Sequence, residues 1–253
     1  MVPEEQELAG GNASESVVRI GHTVRKPWVE NSSAVQSYLA ALRSAGLDVP
    51  QPLGRDEKGR QVVEYVEGEP AINLLPLGQD ELRRVGRMIR HIHDASETLG
   101  VPRQCDWKML LPAENPNLMC HNDLAPWNLI LGDRWVFIDW DGAGPSTRLW
   151  DLAYAAQSFG VLFDGQPVEE ASLRLRAVVD GYDADDSLRR ALPAAMAKRT
   201  AAMFNLLKSA NATGFQPWAG MYLNGHGDHW RAAADYVERH QAAWELALAS
   251  KDS

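Results

Sequence analysis

The chain has 253 residues, 45% apolar and 23% charged, enough for one large domain or two modest ones, and this balance excludes disordered and fibrous classes. With 34 acidic against 25 basic residues the formal net charge is -9, which repels phosphate backbones and argues against a nucleic-acid partner while tolerating a cationic small molecule. The opening MVPEEQELAGG is acidic and lacks an apolar centre, no apolar run approaches bilayer length, and Cys105 and Cys120 form no C-x-x-C pair; a cytoplasmic protein with reduced thiols and no membrane association is expected.

In chain order, a small polar segment, Gly10 to Ser14, precedes two β-branched runs, Val17 to Ile20 and Thr23 to Lys26. They are joined by Gly21-His22, a hairpin signal. A helix follows: Asn31, Ser32 or Ser33 can cap it, Val35, Leu39 and Leu42 recur at helical spacing, and Gly46 with Pro50 ends it. Leu53 to Glu67 reads as a second hairpin around Asp56 to Gly59, and Gly68 to Pro70 interrupts the pattern. The expected architecture is α+β, a small lobe of sheet and one helix over residues 1–68 and a larger, mainly helical lobe over 69–253.

The segment GQDELRRVGRMIRHIHDAS carries Leu82, Val85, Met88 or Ile89, and Ile92 on one face and arginines on the other, an amphipathic helix on which His91 and His93 are expected to pack or cap. The stretch from Leu118 reads as a loop, a strand NLIL, a Gly-Asp turn and a strand RWVFID. From Arg148 three or four more helices are expected, broken near Asp164 to Pro167, Asp183 to Asp186 and Gly214 to Gly227.

The segment HNDLAPWN carries the chemistry, and Asp139 follows Asn128 by eleven residues. Moving a phosphoryl group asks a protein to aim an acceptor hydroxyl at phosphorus and to neutralise phosphate oxygens with cations. A carboxylate such as Asp123 can orient the hydroxyl. An amide oxygen of Asn128 and a carboxylate of Asp139 are hard donors suited to magnesium, and the NLIL and WVFI hairpin returns Asp139 beside Asn128. His121 is expected to brace the loop. A metal-dependent hydrolase built on His121, Asp123 and Asp139 is the competing chemistry. His226-Gly227-Asp228-His229 lacks a third well-spaced ligand and is read as a loop or helix start.

HNDLAPWN, then IDWD, then RLWDLAY together resemble the catalytic loop and metal-binding strand of the aminoglycoside phosphotransferase family, related in fold to choline kinases and protein kinases. The resemblance implies a two-lobed protein-kinase-like fold with ATP and Mg2+ as cofactors and a small hydroxylated molecule, antibiotic or metabolite, as acceptor. Asp123 is then the catalytic base, Asn128 and Asp139 bind magnesium, and Asp151 braces the catalytic loop. By the same resemblance Ser14 lies in a nucleotide-positioning loop and backbone at Tyr65, Val66 and Glu67 meets adenine. Arg25 takes the phosphate-contacting lysine's place by alignment, while strand alternation equally allows Lys26. The helix offers Val35 or Gln36 where the family carries a glutamate, a departure that favours, as the alternative, a catalytically weak or inactive nucleotide- or ligand-binding protein acting in toxin or antibiotic immunity. The short GAGPSTRLW stretch leaves no room for a peptide-docking segment, and Trp218, Asp228, Trp230 and Glu238 are candidates to line an acceptor pocket.

Overall fold

The computed structural model describes residues 5–8, 17–101 and 107–249. Gly21 takes φ of 60°, which costs nothing without a Cβ, so the β-branched runs on either side fold back on each other. Strand β1 (Gln6–Glu7), which the acidic opening did not announce, pairs with β2 (Val18–Ile20), and β2 pairs with β3 (Thr23–Lys26), Ile20 opposite Thr23. Helix α1 (Ser32–Ser44) buries Val35, Tyr38, Leu39 and Leu42. Its start departs from expectation: no side chain caps it, and the Asn31 amide instead donates to the Asp141 carbonyl at 3.2 Å. Strands β4 (Pro52–Arg55) and β5 (Gln61–Glu64) complete an antiparallel sheet in the order β1-β2-β3-β5-β4. Asp56 fixes their turn by accepting from the backbone and Nε of Arg60 at 2.8 and 2.9 Å.

The chain then crosses to β6 (Glu69–Pro70) and helix α2 (Gln79–Leu99). Gly68 has φ of 144°, and a Cβ there would sit 2.5 Å from the Leu131 carbonyl oxygen, so only glycine lets the crossing lie this close to the larger lobe. Glu81 accepts from the Gly78 N–H at 2.8 Å and closes the start of α2. Strand β7 (Leu118–Cys120), where a loop was expected, precedes the hairpin of β8 (Leu129–Leu131) and β9 (Trp135–Phe137). It pairs with β10 (Gly144–Ser146), a partner too distant in sequence for local pattern to reveal.

Beyond Arg148 the described residues form α3 (Arg148–Phe159), α4 (Val168–Gly181), α5 (Asp186–Thr213), α6 (Trp218–Met221), α7 (Gly227–Arg239) and α8 (Gln241–Leu248). These are six helices where three or four were expected, because α6 is a single turn and the chain breaks again at His240. Helices α2 and α4 approach until a Cβ on Gly86 would lie 2.1 Å from the Val178 carbonyl oxygen, and one on Gly181 2.1 Å from that of Arg83. A continuous apolar core joins Leu39 and Leu42 of α1 to Val85 and Ile89 of α2, Phe137, Leu152 and Val178, so the small lobe's helix is seated on the large lobe. No helix among the described residues is long and apolar enough to cross a membrane.

Candidate active site

The cleft between the lobes gathers polar groups from distant parts of the chain. Lys26 ends β3 with its side chain buried, and its Nζ donates to Asp139 Oδ1 at 2.7 Å and meets Asp141 Oδ2 at 2.9 Å. Asp139 adopts φ of 59°, a left-handed conformation uncommon outside glycine; it begins the tight turn Trp140–Gly142. Burial alone would raise the Asp139 carboxyl, but the Lys26 charge and hydrogen bond outweigh it and hold it below the ordinary carboxylate range. The two aspartates in turn overcome the burial of Lys26 and keep its ammonium above the usual lysine value. Arg25, assigned by alignment, lies on the other face of the strand: its guanidinium donates to the Thr23 hydroxyl and its Nε lies 3.5 Å from Asp56. Alternation along β3 thus carries Lys26, not Arg25, into the cleft.

Below this group, the loop after β7 presents Asp123, and the turn Pro126–Asn128 presents Asn128. Asn128 donates through Nδ2 to the Asp123 backbone oxygen at 3.0 Å and to Asp123 Oδ2 at 2.7 Å. With its NH2 committed, the amide oxygen of Asn128 is the group left for a cation. An amide oxygen and the Asp139 carboxylate form the hard donor set that magnesium takes, so these residues fit such an ion and a triphosphate beside Lys26. Burial pushes the Asp123 carboxyl above its ordinary value, the neighbouring Asp139 charge adds to this, and hydrogen bonds from Tyr154 and Asn128 oppose it.

Residues 101–186, which hold all of this chemistry except Lys26, match the phosphotransferase enzyme family. The chain is 30% identical over 193 residues to the trifolitoxin immunity protein of Rhizobium leguminosarum bv. trifolii, covering 69% of this chain and 72% of that one. The chain belongs to the phosphotransferase enzyme family. Its fold is that of the small-molecule kinases. A microcompartment-associated aminopropanol kinase superposes with a TM-score of 0.67 at 16% identity, covering 98% of this chain and 95% of that one. Amicoumacin kinase in complex with AMP-PNP, Ca2+ and Ami gives 0.64 at 13% identity, covering 93% and 88%.

Around the phosphotransferase loop, His121 is fully buried, donates from Nε2 to the Ile138 carbonyl at 3.0 Å and accepts at Nδ1 from the Asp123 N–H at 3.3 Å. Both ring nitrogens are therefore engaged in holding the loop to β9's end, which leaves none for the hydrolase chemistry. Asp151, in the first turn of α3, accepts from the Asn122 N–H at 2.8 Å and meets His93 Nε2 at 3.0 Å, while His93 Nδ1 bonds the Tyr182 hydroxyl at 2.8 Å. Cys120 completes this buried cluster. Because both nitrogens of His93 are taken by protein groups, the cluster is a loop brace and not a metal site. His91 is exposed.

Tyr154 and Arg199 are site residues that the sequence reading passed over. Tyr154 stands three residues after Asp151, one turn along the same face of α3, and its hydroxyl bonds Asp123. Trp230 stacks on it at 6.0 Å, Arg199 lies 4.3 Å above its ring, and Trp127 meets it edge-on at 6.3 Å. The spacing of Tyr154 from Asp151 was a usable signal; nothing local marks Arg199. Among the pocket candidates, Trp218 packs beside this aromatic cluster, whereas Asp228 is exposed and paired with Arg231 at 3.0 Å, and Glu238 is exposed near the far end of α7. His229 packs against Phe163, with ring centroids 5.7 Å apart.

Tyr65, Val66 and Glu67 form the crossing between lobes. The Tyr65 N–H is taken by the His22 carbonyl at 2.9 Å, Val66 is buried against Ile130 and Val136, and Glu67 pairs with Arg19 at 2.6 Å. Ser14 lies outside the described residues. Neither residue offered at the place of the family's glutamate pairs with Lys26: Val35 is in the core, and the Gln36 amide donates to the Gly54 and Val62 carbonyls at 3.2 Å each and accepts from the Gly54 N–H at 2.8 Å, tying α1 to the sheet.

Proposed function

We propose that this chain transfers the γ-phosphate of ATP, with magnesium, to a hydroxyl of a small molecule such as an aminoglycoside, another antibiotic or a related metabolite. The observation that carries this reading is two bonded pairs of side chains, Asn128 with Asp123 and Lys26 with Asp139, close enough that the Asp139 charge acts on the Asp123 carboxyl. Bound Mg-ATP supplies an electrophilic phosphorus with its charge partly neutralised. The chain's own residues do the positioning: Asp123 orients and accepts the proton of the acceptor hydroxyl, and Asn128 and Asp139 hold magnesium. Lys26 faces the phosphates, while backbone at Tyr65 to Glu67 receives adenine. The exposed ring of Trp127, backed by Tyr154 beside Asp123, favours an acceptor with an apolar face over a polycation, since the acidic pair expected there, Asp228 and Glu238, points elsewhere.

The second reading is an immunity protein that binds a toxin or antibiotic without turning it over. The name of the trifolitoxin immunity protein and the missing helix glutamate favour it; the intact Asp123, Asn128 and Asp139 set favours transfer. The deciding experiment measures radiolabel transfer from γ-labelled ATP to a panel of aminoglycosides, peptide antibiotics and amino alcohols. Label on an acceptor that disappears with Asp123→Asn supports transfer. Tight acceptor binding with no label on any compound supports the immunity reading.

A further inference from the structure

We infer that Asp141 is the positioning residue for Lys26, taking the place of the acidic partner that α1 lacks; this rests on the phosphotransferase reading above. A buried ammonium needs a fixed opposite charge, and α1 provides none, because Val35 is in the core and Gln36 is spent on Gly54 and Val62. Lys26 touches two carboxylates instead. Asp139 gives Lys26 only Oδ1 and is the carboxylate next to the magnesium donors. Asp141, partly exposed, is tied to three protein groups: Oδ2 meets Lys26, Oδ1 accepts from Gln61 Nε2 at 3.1 Å, and its carbonyl accepts from Asn31. Gln61 is itself buried and also donates to the Pro27 carbonyl at 3.2 Å, which fixes the amide that fixes Asp141. Both carboxylate oxygens of Asp141 are thus engaged by donors of the chain, an arrangement suited to holding a lysine and ill suited to ligating a metal. With Asp139 drawn to a bound cation, Asp141 would still hold the Lys26 ammonium in the cleft. The lysine and its partner then sit on β3 and on the turn after β9, so α1 need not move to complete the pair.

The test is a double-mutant cycle on the full chain, reading the dissociation constants of ADP in EDTA and of ADP with magnesium by calorimetry. Asp141→Asn is expected to weaken ADP about tenfold in both buffers, and to have no further effect in a Lys26→Met background. Gln61→Ala, which leaves both charges in place, is expected to lose about threefold in both buffers, and it tests the same arrangement if Asp141→Asn does not fold. Unchanged affinity in these variants, or losses that simply add to that of Lys26→Met, overturn the assignment. A loss confined to the magnesium buffer makes Asp141 a metal ligand and also overturns it. A wild-type chain that binds ADP in neither buffer overturns the phosphotransferase reading together with this one, and so is told apart from the failure of Asp141 alone.

Discussion

Asp123→Asn separates chemistry from architecture. The substitution keeps the size and planarity of the side chain, and Asn128 Nδ2 can still donate to an amide oxygen in place of Oδ2, where it now bonds at 2.7 Å. What is lost is the ability to take a proton from the acceptor. A positioned general base contributes about 100- to 10,000-fold. The carboxylate also aims the hydroxyl, so the expected fall in kcat is about a thousandfold, roughly 4 kcal/mol on the barrier. Stability should move the other way. Burial holds the Asp123 carboxyl above its unfolded value, so the charged form is penalised in the fold. That penalty is absent below the ordinary carboxylate range and grows as pH rises through the folded pKa. At neutral pH the variant should therefore melt at or above wild type, and the difference should vanish in acid. Single-turnover transfer of labelled phosphate, the Mg-ADP dissociation constant and a melting curve are the three measurements. Transfer within tenfold of wild type, with Mg-ADP affinity intact, would remove Asp123 from the mechanism.

Other consequences can be checked with the same materials. Asn128→Ala removes the amide oxygen offered to magnesium and a donor to Asp123, so the gain in ADP affinity on adding magnesium should shrink at least tenfold; an undiminished gain would take Asn128 out of the metal site. In the metal-free chain the Asp123 carboxyl should titrate above the ordinary carboxylate range, since burial raises it; titration by NMR at the value of a free aspartate would contradict the environment described. Gly86→Ala drives a methyl group into the Val178 carbonyl at a backbone-to-backbone crossing, with an expected cost of about 3 kcal/mol and a melting point lower by about 8 °C; a neutral result would mean that α2 and α4 are not this close.

The parts of this molecule that were legible in its sequence are those fixed by nearby residues. Gly21 between β-branched runs, the helical spacing of Val35, Leu39 and Leu42, and the hairpin that follows Asn128 each depend on a few neighbours, and each element formed where its pattern stands. Strand β7 was missed because its pairing with β10 joins residues more than twenty apart, and three residues carry too little periodicity to stand out alone. The short α6 was missed because it is a single turn inside the glycine- and proline-rich stretch read as a break, and the break at His240 was missed because no glycine or proline stands there to stop the helix.

The site divides along the same line. Asp123 and Asn128 are joined by local geometry, since a five-residue loop can hardly keep them apart. Lys26 and its partners are 113 residues apart in one case, and alignment to a pattern chose Arg25 because it cannot see which face of β3 turns inward. The sheet decides that. Once Gly21 fixes the register of β2 with β3, Arg25 is carried to the face away from the cleft and Lys26 into it. The glutamate missing from α1 then has a physical meaning different from loss of function: Gln36 spends both ends of its amide on the sheet backbone, and the charge it does not carry appears on the turn that holds Asp139. A charge requirement in a buried cleft is set by electrostatics and not by sequence position, so a partner supplied from β9's side neutralises Lys26 as well as one from the helix.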